Sequence, residues 1–133
     1  METAVPSCIN TRIGMMEYFG VCWYKKTFSA DAGDILITFG SVSEYAKVYL
    51  DGEYLGDHYG GFTAFSFKAK VSAGEHTLVV RVDSKPTEDT IPLYRVDWYH
   101  YCGIMRSVEV TILPDILIEN VFFRYDLSDD LKD

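Results

Sequence analysis

The residues best suited to chemistry lie close together, at Asp97, Trp98, Tyr99 and Tyr101. An aromatic ring offers a flat apolar face, and an ionised carboxylate accepts charge-assisted hydrogen bonds, often two at once. A sugar ring presents C–H groups on its face and hydroxyl groups at its edge, so these side chains have the parts of a carbohydrate site. The same residues also fit a structural role, in which the rings fill a core and Asp97 caps a turn.

The segment that carries these residues, 83–105, differs from the rest of the chain. It contains two prolines and an aromatic cluster, and its apolar residues do not alternate. Loops longer than about 12–15 residues are uncommon inside compact domains and are usually functional. We therefore expect a long functional loop that neighbouring elements hold in place.

A hairpin is the clearest of these neighbouring elements. Asp51-Gly52 lies between two alternating runs, and this pair is a strong hairpin signal because both turn positions require a positive φ. The turn should place Tyr49 opposite Tyr54 and Val48 opposite Leu55. Side chains alternate along a strand, so one face of the first run suits a core and the other suits the surface. The predicted core face consists of Ala46, Val48 and Leu50.

Further extended runs occur at 21–28, 35–39, 63–70, 76–82 and 107–112, with turn residues between them. In the last run we expect Val108, Val110 and Ile112 to face the core. Short strands at this spacing are typical of an antiparallel sandwich, and 133 residues suit one domain. The sequence therefore predicts an all-β fold, an antiparallel β-sandwich.

The charge balance argues against polyanionic partners. Twelve basic and 20 acidic residues give a net charge of −8, and the sequence shows no Lys/Arg cluster. Nucleic acid and an anionic membrane are therefore not expected partners. No apolar run approaches the roughly 20 residues of a spanning helix, and residues 1–6 do not resemble a signal peptide.

The cysteines and histidines are too scattered to predict a metal site or a cofactor. Cys8, Cys22 and Cys102 form no Cys-x-x-Cys motif, and Asp97 with His100 would supply too few ligands for a structural metal. Three reduced thiols are typical of a cytoplasmic protein, and a Cys8–Cys22 bridge is the alternative.

Five motifs, in the same order, resemble the N-terminal sugar-binding domain of glycoside hydrolase family 2 enzymes, which include β-galactosidases and β-glucuronidases. They are Trp23-Tyr24-Lys25-Lys26-Thr27-Phe28, residues 46–56, Gly60-Gly61-Phe62 followed by Phe65, residues 74–82, and Tyr101-Cys102-Gly103-Ile104-Met105-Arg106. The resemblance covers about residues 20–113. It implies a jelly-roll fold of the galactose-binding-domain type.

The resemblance also implies roles for individual residues. The family carries an aspartate six residues before the glycine of its Gly-Ile-x-Arg signature, where it helps to hold the sugar beside the scissile bond, and here that position is Asp97. Trp98, Tyr99 and Tyr101 are further candidates for sugar contact. Gly103 would be required by the backbone, and Arg106 would hold the base of the loop. The implied partners are a β-galactoside or β-glucuronide and the other domains of the enzyme.

The catalytic pair of the family is not expected in this chain. A retaining glycosidase needs two carboxyl groups about 5–5.5 Å apart. The family holds them on a barrel that follows this domain, and Glu88-Asp89 and Asp129-Asp130 suit solvated segments. We expect an arm at 1–19, the sugar-binding domain at 20–114, and the truncated start of an immunoglobulin-like domain or a linker at 115–133. The alternatives are a free-standing carbohydrate-binding module and a sandwich used only for protein contacts.

Overall fold

The computed structural model describes residues 1–90, 97–118 and 120–129, and within them ten strands form three antiparallel sheets. The strands are β1 (Ser7–Cys8), β2 (Val21–Ala30), β3 (Gly33–Phe39), β4 (Val42–Ser43), β5 (Tyr45–Leu50), β6 (Glu53–Tyr59), β7 (Phe65–Val71), β8 (Gly74–Asp83), β9 (Gly103–Ile104) and β10 (Val108–Ile112). A single 3₁₀ turn, Ile9–Thr11, follows β1. In this part of the chain, no helix has the length and apolar character needed to cross a bilayer.

Two of the sheets pack face to face as a jelly-roll sandwich, as predicted. One has the order β10-β3-β7 and the other β2-β8-β5-β6. Ile35, Ile37 and Phe39 of β3 are fully buried between them, and Phe39 stacks on Phe65 with ring centroids 4.9 Å apart. Burying a side chain of this size contributes about 1.5–3 kcal/mol, so β3 is the main internal strand of the core.

The predicted hairpin is confirmed at its turn. Asp51 and Gly52 have φ angles of 51° and 87°, and Tyr49 pairs with Tyr54. Farther along, the prediction was wrong by one residue, because Val48 pairs with Gly56. Leu55 is the extra residue of a β-bulge, and the Phe67 ring lies so close to Gly56 that a Cβ there would be 2.5 Å from it.

The predicted core face of β10 is only partly correct. Val108, Val110 and Ile112 pair with buried residues of β3 and so share their face, but Val110 is 38% exposed and Ile112 54%. The opposite sheet does not cover them, since β2 and β10 border an open cavity of about 1040 Å³. Lys26, on the inward side of the edge strand β2, also lines this cavity.

The third sheet connects the N-terminal arm to the body of the domain. Its order is β1-β9-β4, so Ser7–Cys8 and Val42–Ser43 flank Gly103–Ile104. We call this sheet, together with Asn10, the loop seat. It fixes the chain directly after residues 97–101.

Candidate functional site

Asp97 and its aromatic neighbours lie on the surface at one end of the sandwich. Asp97 is exposed, and Trp98 and Tyr101 are 56% and 52% exposed. None of these three side chains fills the core. Residues 91–96 of the predicted long loop lie outside the described residues, whereas residues 97–105 can be followed into the loop seat.

Tyr99 links the aromatic residues to one another and to the arm. Its ring centroid is 5.1 Å from that of Tyr101 and 6.0 Å from that of Phe19. Desolvation, followed by the nearby Glu17 carboxylate, raises the pKa of the Tyr99 hydroxyl, which therefore stays protonated at neutral pH. The loop thus presents ring faces and a hydroxyl donor beside an exposed carboxylate.

Gly103 allows the loop to enter the seat. Its φ is 136°, and a Cβ at this position would lie 2.7 Å from the Ser7 carbonyl oxygen and 2.9 Å from the Tyr24 hydroxyl. Both the backbone angle and the space therefore require glycine. Burial raises the pKa of Tyr24 to about 12, so its hydroxyl stays protonated beside the backbone of Ile104.

Asn10 is the side chain that joins the arm to the loop, and the sequence offered no motif that would have revealed it. It is 5% exposed, and its Oδ1 accepts a hydrogen bond of 2.7 Å from the backbone N–H of Cys102. Its Nδ2 donates to the carbonyl oxygens of Met15, Met16 and Tyr18 at 2.9–3.3 Å. One buried amide therefore positions both the arm and the exit of the loop.

A buried acid beside the loop was also missed by the sequence analysis. Glu44 is 5% exposed, and burial raises the pKa of its carboxyl group while the neighbouring His100 imidazole acts in the opposite direction. Glu44 Oε2 and His100 Nε2 are both buried and find no hydrogen-bond partner among the described residues. The carboxylate lies against Gly61, where a Cβ would be 3.0 Å from Oε1.

Arg106 contacts the loop base mainly through its backbone and stem. Its backbone N–H donates to the Ser41 carbonyl oxygen at 3.4 Å. Its Cβ packs so closely against Gly40 that a Cβ on Gly40 would lie 2.7 Å from it. Its guanidinium forms no ion pair with the residues that the structure describes. The role predicted for the Arg106 side chain stays a prediction.

The three cysteines are free, so the alternative Cys8–Cys22 bridge does not form. Burial raises the pKa of the Cys102 thiol to about 12, and the thiol stays protonated beneath the loop. Within residues 1–90, 97–118 and 120–129, no three potential ligands come together as a metal group.

The fold and this end of the sandwich define a class of protein: a jelly-roll domain that presents a carboxylate and aromatic rings from a fixed loop. Residues 3–114 match the family model described as "Glycosyl hydrolases family 2, sugar binding domain". The chain belongs to this family, as the motifs predicted.

Characterised relatives are much longer than this chain. A β-galactosidase of Thermoanaerobacter pseudethanolicus is 37% identical over 123 aligned positions, and the match covers 86% of this chain and 17% of that protein. A β-glucuronidase of Streptococcus agalactiae is 27% identical over 143 aligned positions, covering 87% of this chain and 24% of its own length. The chain therefore spans about a fifth of the length of these relatives.

Solved structures agree with the sequence relatives. A GH2 β-galacturonidase from Eisenbergiella tayi, with glycerol bound, superimposes with a TM-score of 0.80 at 30% identity. The match covers 86% of this chain and 20% of that protein. The jelly-roll sandwich is thus the fold of a domain within larger family 2 proteins.

Proposed function

We propose that this chain is the non-catalytic sugar-binding domain of a retaining β-glycosidase of the β-galactosidase or β-glucuronidase type. It braces a catalytic barrel and contributes Asp97 to the sugar site. The observation that carries the proposal is the exposure of Asp97 on a loop whose exit is fixed by the loop seat. An exposed carboxylate on such a loop can accept hydrogen bonds from two sugar hydroxyl groups.

The aromatic residues extend the same site. Trp98, Tyr99 and Tyr101 are exposed beside Asp97, so a sugar face can pack against a ring while its edge reaches the carboxylate. The buried Glu44 neighbours His100, a half-buried residue of the loop itself. The two catalytic carboxyl groups belong to the barrel, which supplies the floor of the pocket and determines which sugar is cleaved.

The test uses the full-length product of the gene that carries this domain. Asp97→Ala removes a hydrogen-bonded charge worth about 1.5–3 kcal/mol, so kcat/KM should fall about 10- to 100-fold on the nitrophenyl glycoside that the enzyme prefers. Asp89→Ala, the same change at an exposed residue of the same segment, is the control and should leave kcat/KM unchanged.

Two results would contradict the proposal. One is an Asp97→Ala enzyme with the kcat/KM of the parent. The other is hydrolysis of nitrophenyl glycosides by the 133-residue chain alone, since the catalytic pair would then lie within it. Tight calorimetric binding of methyl galactoside or methyl glucuronide to this chain alone would favour the free-standing binding module.

A further inference from the structure

A buried acid of the sandwich, Glu44, lies directly after the strand that holds the exit of the loop. It is 5% exposed, and its neighbour Ser43, the last residue of β4, pairs with Gly103 of β9. The Glu44 backbone N–H donates to the Asp83 carbonyl oxygen at 3.2 Å, and its own carbonyl oxygen accepts a hydrogen bond of 2.9 Å from the N–H of Gly60. These two bonds fix the backbone from which the buried side chain extends.

The two oxygens of the Glu44 carboxyl group differ in their surroundings. Oε1 packs against the turn at Gly61, where a Cβ would lie 3.0 Å from Oε1 and 3.3 Å from Ser43 Oγ. Oε2 is buried and has no hydrogen-bond partner among the described residues. Buried polar atoms of native proteins are hydrogen-bonded in the great majority of cases, so a partner for Oε2 is expected.

The ionisable neighbour of this carboxyl group belongs to the loop. His100 lies three residues after Asp97 and three before Gly103, and it is half-buried. Burial raises the pKa of Glu44, and the His100 imidazole is the largest influence that lowers it, which requires the two groups to be close. His100 Nε2 is also buried and lacks a partner in the part of the chain that the structure describes. An oxygen of the sandwich and a ring nitrogen of the loop are thus buried near each other, both unpaired.

We propose that Glu44 is a positioning residue for Asp97, which acts through a hydrogen bond between Glu44 Oε2 and His100 Nε2. This bond needs one proton, which either the carboxyl group or the imidazole can supply. It holds the loop between Asp97 and the exit, whereas the loop seat holds the exit alone. The inference rests on the proposed function, since it assigns how the carboxylate that meets the sugar is held in place.

Other roles for the two groups fit the structure less well. Both unpaired atoms are buried whereas Asp97 is exposed, so a sugar can reach Asp97 without contacting them. A metal site needs at least three ligands, and no such group occurs within residues 1–90, 97–118 and 120–129. In a purely structural role a buried carboxyl group is costly, and apolar side chains of similar size often stabilise a fold as well or better. Ionisable groups buried beside a binding loop are typical of functional sites.

The first experiment measures the rigidity of the loop, by NMR relaxation of residues 98–101 in this chain. Glu44→Leu and His100→Phe each remove one partner at nearly constant size, and both should lower the backbone order parameters from about 0.85 to below about 0.6. The double variant should be no more mobile than either single variant, because the same bond is lost in all three. Glu44→Gln keeps an acceptor and a donor, so it should stay near the parent.

The second experiment measures kcat/KM of the full-length product on its preferred nitrophenyl glycoside. His100→Phe and Glu44→Leu should each lower kcat/KM about tenfold, the double variant by no more, and Glu44→Gln by less than about threefold. In the Asp97→Ala background, His100→Phe should cause no further loss, because the pair acts through Asp97. His58→Phe, the same change at another half-buried histidine, is the control and should match the parent.

The results separate this inference from the proposed function. The inference is wrong if His100→Phe keeps the order parameters and kcat/KM of the parent, if His58→Phe loses as much, or if the losses in Glu44→Leu and His100→Phe simply add. It is also wrong if Glu44→Gln, which can still form the bond, loses as much as Glu44→Leu. An unchanged kcat/KM in Asp97→Ala would instead contradict the proposed function, and the order parameters would still decide whether the pair holds the loop. Thermal unfolding checks the fold of every variant, and His100→Phe decides alone if Glu44→Leu does not fold.

Discussion

The Asp51-Gly52 turn and the loop seat both require a glycine with positive φ. At the turn this requirement comes from neighbouring residues, whereas at the seat it comes from residues far away in the sequence. At the turn, the two residues themselves provide the required angles, and a Cβ on Gly52 would meet nothing within 4 Å. At the seat, a Cβ on Gly103 would collide with the backbone of Ser7, and Asn10 reaches across 92 residues to Cys102. Local sequence thus encodes the scaffold, whereas long-range contacts encode the support of the site.

Adding one methyl group to each glycine separates the turn from the seat with the largest expected effect. Gly103→Ala adds a backbone clash to an unfavourable φ and should cost about 3 kcal/mol of unfolding free energy. Gly52→Ala places a side chain at an unfavourable φ but causes no clash, and it should cost about 1–2 kcal/mol of unfolding free energy. Urea denaturation measures both, and equal losses would show that crowding at the seat contributes nothing.

Removing the amide of Asn10 tests the seat without changing a backbone angle. Asn10→Ala leaves the buried N–H of Cys102 without its acceptor and should cost about 2 kcal/mol. The exposed Asn120→Ala is the matched control and should change stability by less than about 0.5 kcal/mol. Faster proteolysis at residues 97–101 should accompany the Asn10 change. Unaltered stability and protease resistance would mean that the arm does not hold the loop.

The smallest expected effect is a pH dependence at the hairpin. His76 Nδ1 lies 2.6 Å from Asp51 Oδ2, and the hydrogen bond to Asp51 is the main cause that raises the pKa of His76. The backbone N–H of Thr77, followed by His76, lowers the pKa of Asp51.

The sign of the pH effect follows from these shifts. The His76 contribution is complete below its unfolded pKa of about 6.5 and is lost as pH rises through its higher folded pKa. The Asp51 contribution is present above its unfolded pKa of about 3.9 and is lost as pH falls through its lower folded pKa. The pair therefore stabilises the fold most between these limits.

Asp51→Asn should flatten this dependence while keeping the turn, because Asn-Gly favours the same turn type. Urea midpoints from pH 4 to 9, for the parent and the variant, measure the difference. If the midpoints of the variant follow those of the parent across this range, the pair of His76 and Asp51 is not the cause of the pH dependence.

The strands and the hairpin turn could be predicted because each depends on a period of two or on a dipeptide. The bulge at Leu55 could not, since it lies where Gly56 packs against the Phe67 ring, a contact between two strands that alternation does not show. The exposure of Val110 was missed for a similar reason. Alternation predicts which face of the sheet a side chain is on, but whether that side chain is buried depends on the opposite sheet.

At the candidate site, the order of motifs singled out Asp97 and Gly103, and their roles there stay predictions. Asn10 and Glu44 carry no local signal, because their importance arises from burial against segments distant in sequence. Strand register has a similar long-range effect, because it brings Lys25, Lys47 and Arg81 from β2, β5 and β8 to the outer side of one sheet although they are far apart in the sequence.

The inward-facing Lys26 has a consequence for how molecules of this protein meet one another. Among the described residues, β2 pairs with β8 alone, and a sheet edge of this kind can recruit a strand from a neighbouring molecule. Such an addition would extend this sheet over the open cavity and strip water from the Lys26 ammonium group, which carries a large desolvation penalty. A single lysine thereby disfavours edge-to-edge aggregation where the sandwich is least covered.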